Sequence, residues 1–213
     1  MTADPLSFPS RQRRCGRTRY TEQQFFERTS KQTMRKIVVS TFMSLDGVTE
    51  SPEKWSLDYW NDDIEKLKND ELFGAGALLL GRVTYEGFAD SWPKRSGDPY
   101  TDRINSMPKF VVSTTLKVLE WSNSTLIKKN VAAELAKLKQ ESGGDLVVFG
   151  SMSLVNKLIQ KDLIDEYRLL VYPVVLGAGK RLFDERTETK VKLTATKSLG
   201  SDVALLTYAR AGV

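Results

Sequence analysis

Residues 145–159 read DLVVFGSMSLVNKLI, and the pattern changes period part-way along. Leu146 to Phe149 are four consecutive apolar residues, the signature of a buried strand. Gly150 and Ser151 interrupt the run. Met152, Leu154, Val155, Leu158 and Ile159 then recur at helical spacing. The stretch is therefore a strand, a tight turn and a helix. Such a turn sets free backbone N–H groups and the positive end of a helix dipole at the carboxyl edge of a sheet, where a phosphate or pyrophosphate fits. The same residues admit a plainer role, in which Gly150 only lets strand and helix pack closely and Ser151 only caps the helix.

Upstream, the pattern repeats. Ala77 to Leu80 form a strand, Gly81 breaks it, and a short helix starts at Arg82. An arginine at a helix start opposes the dipole. A bound phosphate accounts for it, and so does an ion pair with Glu86 one turn on. Ile37 to Phe42 make a β-branched opening strand that runs into SLDG at 44–47. Asp46-Gly47 is a turn dipeptide, so Asp46 is either a catalytic carboxylate or the holder of the turn. Residues 50–73 contain Trp55, Tyr59 and Trp60, with an acidic cluster of Asp58, Asp62, Asp63 and Glu65. Ile64, Leu67, Glu71 and Leu72 follow a helical rhythm there, which Asn61 or Asp58 can cap.

Downstream, residues 108–115 read as a third strand ending in Ser113, Thr114 and Thr115. A short strand is expected at 124–127, and a helix capped by Asn130 over 130–141. A long strand over 162–176 is interrupted at Pro173 and followed by GAGK at 177–180. Val191 to Lys197 and Val203 to Ala209 alternate as the arms of a hairpin. Parallel strand–helix units with an antiparallel end give an α/β fold with a mixed, mostly parallel sheet.

Composition narrows the chemistry. The 213 residues include no histidine, which excludes Ser-His-Asp and Cys-His mechanisms and His-bearing zinc sites. The one cysteine is Cys15, so the body has no disulfide and no cysteine nucleophile, and no metal is called for. A reducing cytoplasm fits this usage. No apolar run approaches the roughly 20 residues of a membrane span. The net charge is +5, but residues 1–33 hold seven basic and three acidic residues, and the remaining 25 basic and 24 acidic residues nearly cancel. A nucleic-acid surface on the body is therefore not indicated. Residues 1–33 read as a disordered basic extension, and Met34 stands directly before the first strand as a candidate start.

Taken in order, MSLDG (43–47), LLLGRVTYE (78–86), FVVSTT (110–115), VFGSMSLVNKLI (148–159) and DEYRLLVYPVVLGAGKRLF (165–183) resemble the dihydrofolate reductase fold. Within it they are similar to the branch holding the reductase domain of the riboflavin-biosynthesis deaminase–reductase, over about residues 35–210. The resemblance implies a three-layer α/β fold with helices on both faces of the sheet. It also implies an NADPH-dependent reductase of a small pyrimidine- or pterin-like heterocycle, and a homodimer. Gly81, Arg82 and Thr84 would face the pyrophosphate and 2′-phosphate, Ser113 and Thr114 the adenosine phosphate, and Gly150, Ser151 and Met152 would wrap the pyrophosphate. Asp46 would orient the substrate or relay a proton, with Phe42 and Trp55 lining the pocket. The dihydrofolate reductase counterpart of Gly150–Ser151 is a cis peptide, so a cis bond is expected there. No HxE…PCxxC deaminase motif is present, so the reductase domain would stand alone. Two other classes stay open: a non-catalytic nucleotide-binding or regulatory domain of this fold, and a scaffold whose basic tail binds nucleic acid.

Overall fold

The computed structural model describes residues 34–183 and 187–211. The basic extension expected over 1–33, Cys15 included, lies outside the described residues. Eight strands form one sheet: β1 (Ile37–Ser44), β2 (Ala77–Gly81), β3 (Lys109–Val112), β4 (Ser124–Ile127), β5 (Leu146–Phe149), β6 (Glu166–Tyr172), β7 (Val191–Leu199) and β8 (Val203–Arg210). Their order across the sheet is β4-β3-β2-β5-β1-β6-β8-β7. The first six are parallel, and β8 pairs antiparallel with both β6 and β7. The expected mixed sheet and its terminal hairpin are therefore both present.

Among the described residues five α-helices flank the sheet: α1 (Asp62–Gly74), α2 (Arg82–Ser91), α3 (Pro99–Ser106), α4 (Val131–Gln140) and α5 (Met152–Gln160). Alternation along the strands decides which helix packs where. Ile37, Val39, Leu146 and Val148 point to one face and bury Leu135 and Leu138 of α4 with Leu154, Val155 and Leu158 of α5. Val38, Leu78, Leu80 and Val147 point to the other, against Leu72 of α1, Tyr85 of α2 and Ile104 of α3. Burying this much aliphatic surface on both sides drives the fold.

The helix starts differ in a way that matters later. Asn61 accepts from the Ile64 amide and caps α1, and Asp98 accepts from the Thr101 amide and caps α3. The expected Asn130 cap is absent: Asn130 adopts a left-handed backbone, and its side chain makes no cap bond. The starts of α2 and α5 also lack side-chain caps.

Candidate functional site

In an open parallel sheet, ligands bind outside the carboxyl ends of the strands. Four adjacent strands, β2-β5-β1-β6, end here in Gly81, Phe149, Ser44 and Tyr172. The turns and loops beyond these four strand ends form the candidate site.

The first part is the junction of the two strand–glycine–helix edges. Ser151 does not cap its own helix. Its Oγ instead accepts from the Gly81 amide at 2.9 Å and shares a hydrogen bond with Thr84 Oγ1 at 2.9 Å. A Cβ added at Gly81 would overlap Ser151 Oγ, so glycine is required for this approach. One hydroxyl thus joins the starts of α2 and α5, and both leave their first N–H groups unmet by any side-chain cap. The expected cis bond is corrected: the described residues contain no cis peptide. The chain turns by placing Gly150 at φ 75° and Ser151 at φ 67°. Gly150 meets no Cβ penalty there, whereas a left-handed serine is uncommon and is held by its two hydroxyl bonds.

The remaining cofactor candidates sit around this junction. Met152 is the first residue of α5. Arg82 reaches along its helix to Glu86 at 2.8 Å, with both side chains about half exposed at 47% and 50%. Ser113 follows β3 and is buried, and its Oγ accepts from the amides of Thr115 and Leu116. Thr114 is exposed.

The second part is a rim made of the SLDG turn and the GAGK loop. The Leu45 amide donates to Val174, Thr49 to Lys180 and Leu182 to Gly47, so the two loops are stitched together. Asp46 is the centre of the stitching. Its carboxylate accepts from Ser44 Oγ at 2.7 Å, the Leu176 amide at 3.1 Å and the Gly177 amide at 2.8 Å, and Arg181 lies 3.8 Å away. The Ser44 hydroxyl first, then the Leu176 amide, hold its pKa down to about 2. Asp46 is therefore a hydrogen-bond acceptor that holds the rim together. A lowered carboxyl pKa makes this tether complete above the ordinary carboxylate range and weakens it as pH falls toward 2. Beside the rim, a groove of about 430 Å³ runs between α5 and the 180–181 segment, lined by Met152, Asn156, Lys157, Lys180 and Arg181 among others.

The third part is an aromatic wall on the α1 face. Tyr172 sits with its ring centroid 5.3 Å from Phe42, 5.5 Å from Trp55 and 5.9 Å from Tyr59. Phe42 and Trp55 thus stand together, and Tyr172 is the member that the sequence pattern does not single out.

None of the four acids singled out on or before the first helix enters this wall. Asp58, Asp62 and Glu65 are exposed, and Asp63 accepts from the Gly200 amide at 3.1 Å, tying α1 to the terminal hairpin. The buried acid is Glu71, at 4% exposure, paired with Lys68 at 2.6 Å and accepting from Ser40 Oγ at 2.8 Å. The Lys68 ammonium lies 4.1 Å above the Phe149 ring and 5.5 Å from that of Phe42. Burial lowers the Lys68 pKa against the raising effect of Glu71. The sequence does carry a signal for this acid: Glu71 interrupts the apolar rhythm of Ile64, Leu67 and Leu72.

These features find their counterpart among known families. The model of the RibD C-terminal domain matches residues 35–205. The chain belongs to the RibD C-terminal domain family. The uncharacterised protein YwjB of Bacillus subtilis (strain 168) is 36% identical over 176 residues, covering 80% of this chain and 96% of YwjB. Two solved structures share the fold of this RibD C-terminal domain. A protein of Shewanella sp. PV-4, provisionally named for riboflavin biosynthesis, superposes with TM-score 0.64 at 21% identity, covering 82% of this chain and 98% of its own. Dihydrofolate reductase from Enterococcus faecalis, solved with NADP(H), superposes with TM-score 0.56 at 16% identity, covering 83% and 96%. The fold of this RibD C-terminal domain is thus dihydrofolate reductase-like, as the sequence resemblance implied.

Proposed function

We propose that this chain is an NADPH-dependent reductase that passes a hydride to a small pyrimidine- or pterin-like heterocycle, in the manner of a riboflavin-pathway reductase. The observation that carries this reading is the junction at Ser151, where two helix starts without side-chain caps converge on one glycine-lined edge. The residues present fit a dinucleotide: Gly81 admits Ser151 and so brings the two edges together, and the first amides of α2 and α5 suit a pyrophosphate. Gly81, Thr84, Gly150, Ser151 and Met152 would hold the pyrophosphate. Arg82, on leaving Glu86, would fork onto the 2′-phosphate and favour NADPH over NADH. Ser113 and Thr114 would serve the adenosine phosphate. When bound, the nicotinamide supplies the hydride, and the protein supplies orientation and exclusion of water.

On the substrate side, Phe42 and Trp55 give planar apolar surface, and Asp46 keeps the rim in place as a fixed carboxylate. Asp46 acts here by orienting, since a group held at about 2 has no proton to relay near neutral pH. No helix among the described residues is long and apolar enough to cross a membrane. A cytoplasmic homodimer without a nucleic-acid partner is the setting we infer from the family likeness. The test is NADPH oxidation with uracil-type and pterin-type heterocycles. With an accepted substrate, Asp46→Asn should lower kcat/KM by roughly 10–100-fold, the scale of a misplaced site. Unchanged turnover in that variant would remove Asp46 from the site.

The Arg82–Glu86 pair favours one competing reading, a nucleotide-binding domain without chemistry, because the arginine already has a partner. That reading requires NADPH binding with no turnover of any heterocycle.

A further inference from the structure

Five side-chain oxygens among the described residues are buried without a hydrogen-bond partner: Ser56 Oγ, Glu71 Oε1, Ser124 Oγ, Asn156 Oδ1 and Tyr172 Oη. Two of them belong together. Ser56 is 1% exposed and Tyr172 is fully buried. Burial raises the Tyr172 pKa, and the Ser56 hydroxyl beside the phenol tempers the rise. The phenol therefore stays protonated. Around the pair stand the rings of Phe42, Trp55 and Tyr59.

An aromatic cage has no structural need of a buried phenol beside a buried hydroxyl. A phenylalanine at 172 and an alanine at 56 would pack in the same space without the desolvated oxygens. Unsatisfied buried groups in native proteins call for a specific reason, and a functional role is one of them. The location supplies it. Tyr172 ends β6 directly opposite Ser44, whose hydroxyl holds Asp46. Ser56 lies between two single 3-10 turns, Pro52–Lys54 and Leu57–Tyr59. The backbone bonds of this strap are local: Lys54 to Ser51, Trp55 and Ser56 to Pro52, Tyr59 to Ser56, Trp60 to Leu57. No backbone bond ties residues 51–60 to the sheet, so the strap is held there by the packing of Trp55 and Tyr59 on Tyr172, contacts that a planar ring entering beneath it would replace.

We propose that Ser56 and Tyr172 are the hydrogen-bonding station of the substrate pocket, a pair that takes the lactam edge of a planar heterocycle when the 51–60 strap lifts. A hydroxyl is both donor and acceptor. One of the pair donates to the ring carbonyl, and the other accepts from the adjacent ring N–H. The surrounding rings stack on the heterocycle or meet its edge. A neutral hydroxyl pair suits an uncharged lactam, and by exchanging donor and acceptor roles it also suits the ring-nitrogen and amino edge of a diaminopyrimidine.

The inference rests on the reductase reading for the purpose of the pocket, and the experiment reads binding directly. The full chain is titrated calorimetrically with 5,6-diaminouracil, with 2,4-diaminopyrimidine and with NADPH, as wild type, Tyr172→Phe and Ser56→Ala. Thermal unfolding of all three proteins runs alongside. The expected result is that both variants melt at or above the wild-type Tm and keep the wild-type NADPH affinity. Their Kd for 5,6-diaminouracil rises about tenfold or more, the scale of one lost hydrogen bond to a desolvated partner. An equal Kd in all three proteins overturns the proposal, as does a lowered Tm with an unchanged Kd. Wild-type protein that binds NADPH but not 5,6-diaminouracil also overturns it, and leaves the reductase reading standing. Wild-type protein that binds 5,6-diaminouracil through the pair but not NADPH upholds the station and removes the reductase reading.

Discussion

Replacing Glu71 with methionine is expected to destabilise the fold by about 3–5 kcal/mol, the cost of leaving a buried charge without its partner. The stranded group is Lys68, whose ammonium would keep Ser40 Oγ at 2.8 Å and the faces of Phe149 and Phe42, while Arg168, 3.6 Å from Glu71, would keep its other carboxylate at Glu166. The companion test is the double variant Lys68→Met with Glu71→Met, in which both charges leave. Well-packed apolar replacements of a buried ion pair are often neutral or better, so most of the loss should return. Lys68 sets the sign of the pH dependence. Its pKa is lowered on folding below the ordinary 10.5, mainly by burial. The penalty in Glu71→Met is therefore full near neutral pH, where the wild type keeps its ion pair, and shrinks as the pH rises toward 10.5, where the unfolded lysine is also losing its proton. Urea unfolding of the single and double variants across pH measures all of this. A single variant as stable as the wild type would show that the pair is not a closed ionic unit. The pair matters to the site because Lys68 sits between Phe42 and Phe149, the last residue before the Gly150 turn.

Gly81→Ala is expected to raise the NADPH Kd by at least tenfold and to cost about 1–3 kcal/mol, the range for overpacking a tight contact. The backbone of Gly81 lies at φ −87°, which alanine adopts freely, so the effect is steric and not conformational. The added methyl collides with Ser151 Oγ and crowds its Cβ at 3.2 Å. Ser151 must then give up the Gly81 amide and Thr84 together. Ser151→Gly in the same chain removes both clashing atoms and suits the left-handed turn at φ 67°. The double variant should therefore recover stability. Urea midpoints and NADPH titration of the single and double variants check this. Wild-type behaviour in Gly81→Ala would mean that the two edges do not meet through Ser151.

Most of the architecture is legible in the sequence because it depends on local period and punctuation. The runs Ile37–Phe42, Ala77–Leu80 and Leu146–Phe149 are short, apolar and ended by turn residues, and each is a strand here. Cap chemistry is less legible. Asn130 and Ser151 are both good cap residues by type, yet both take left-handed backbones and cap nothing. What decides Ser151 is a partner 70 residues away at Gly81, which no local pattern reports. The same holds for Asp46. Its dipeptide announces a turn, but its real partners are Leu176 and Gly177. Among the acids of the first helix, the clustered ones draw the eye and yet stay at the surface. The one that faces the core, Glu71, stands within the apolar stripe and shares its rhythm. Tyr172 is hidden as one of two tyrosines in β6, where its burial among the rings of Phe42, Trp55 and Tyr59 marks it out.

The most direct test of the reductase reading is thermal unfolding of the full chain with NADPH, with NADH and without nucleotide, alongside Arg82→Gln. A ligand at 100 times its Kd adds about 2.7 kcal/mol of stability. For a domain of this size that raises Tm by roughly 5–10 °C. The expected result is a shift of that order with NADPH, a smaller one with NADH at the same concentration, and loss of the difference in Arg82→Gln. No shift with either nucleotide would contradict the cofactor reading and leave the Ser151 junction as packing alone.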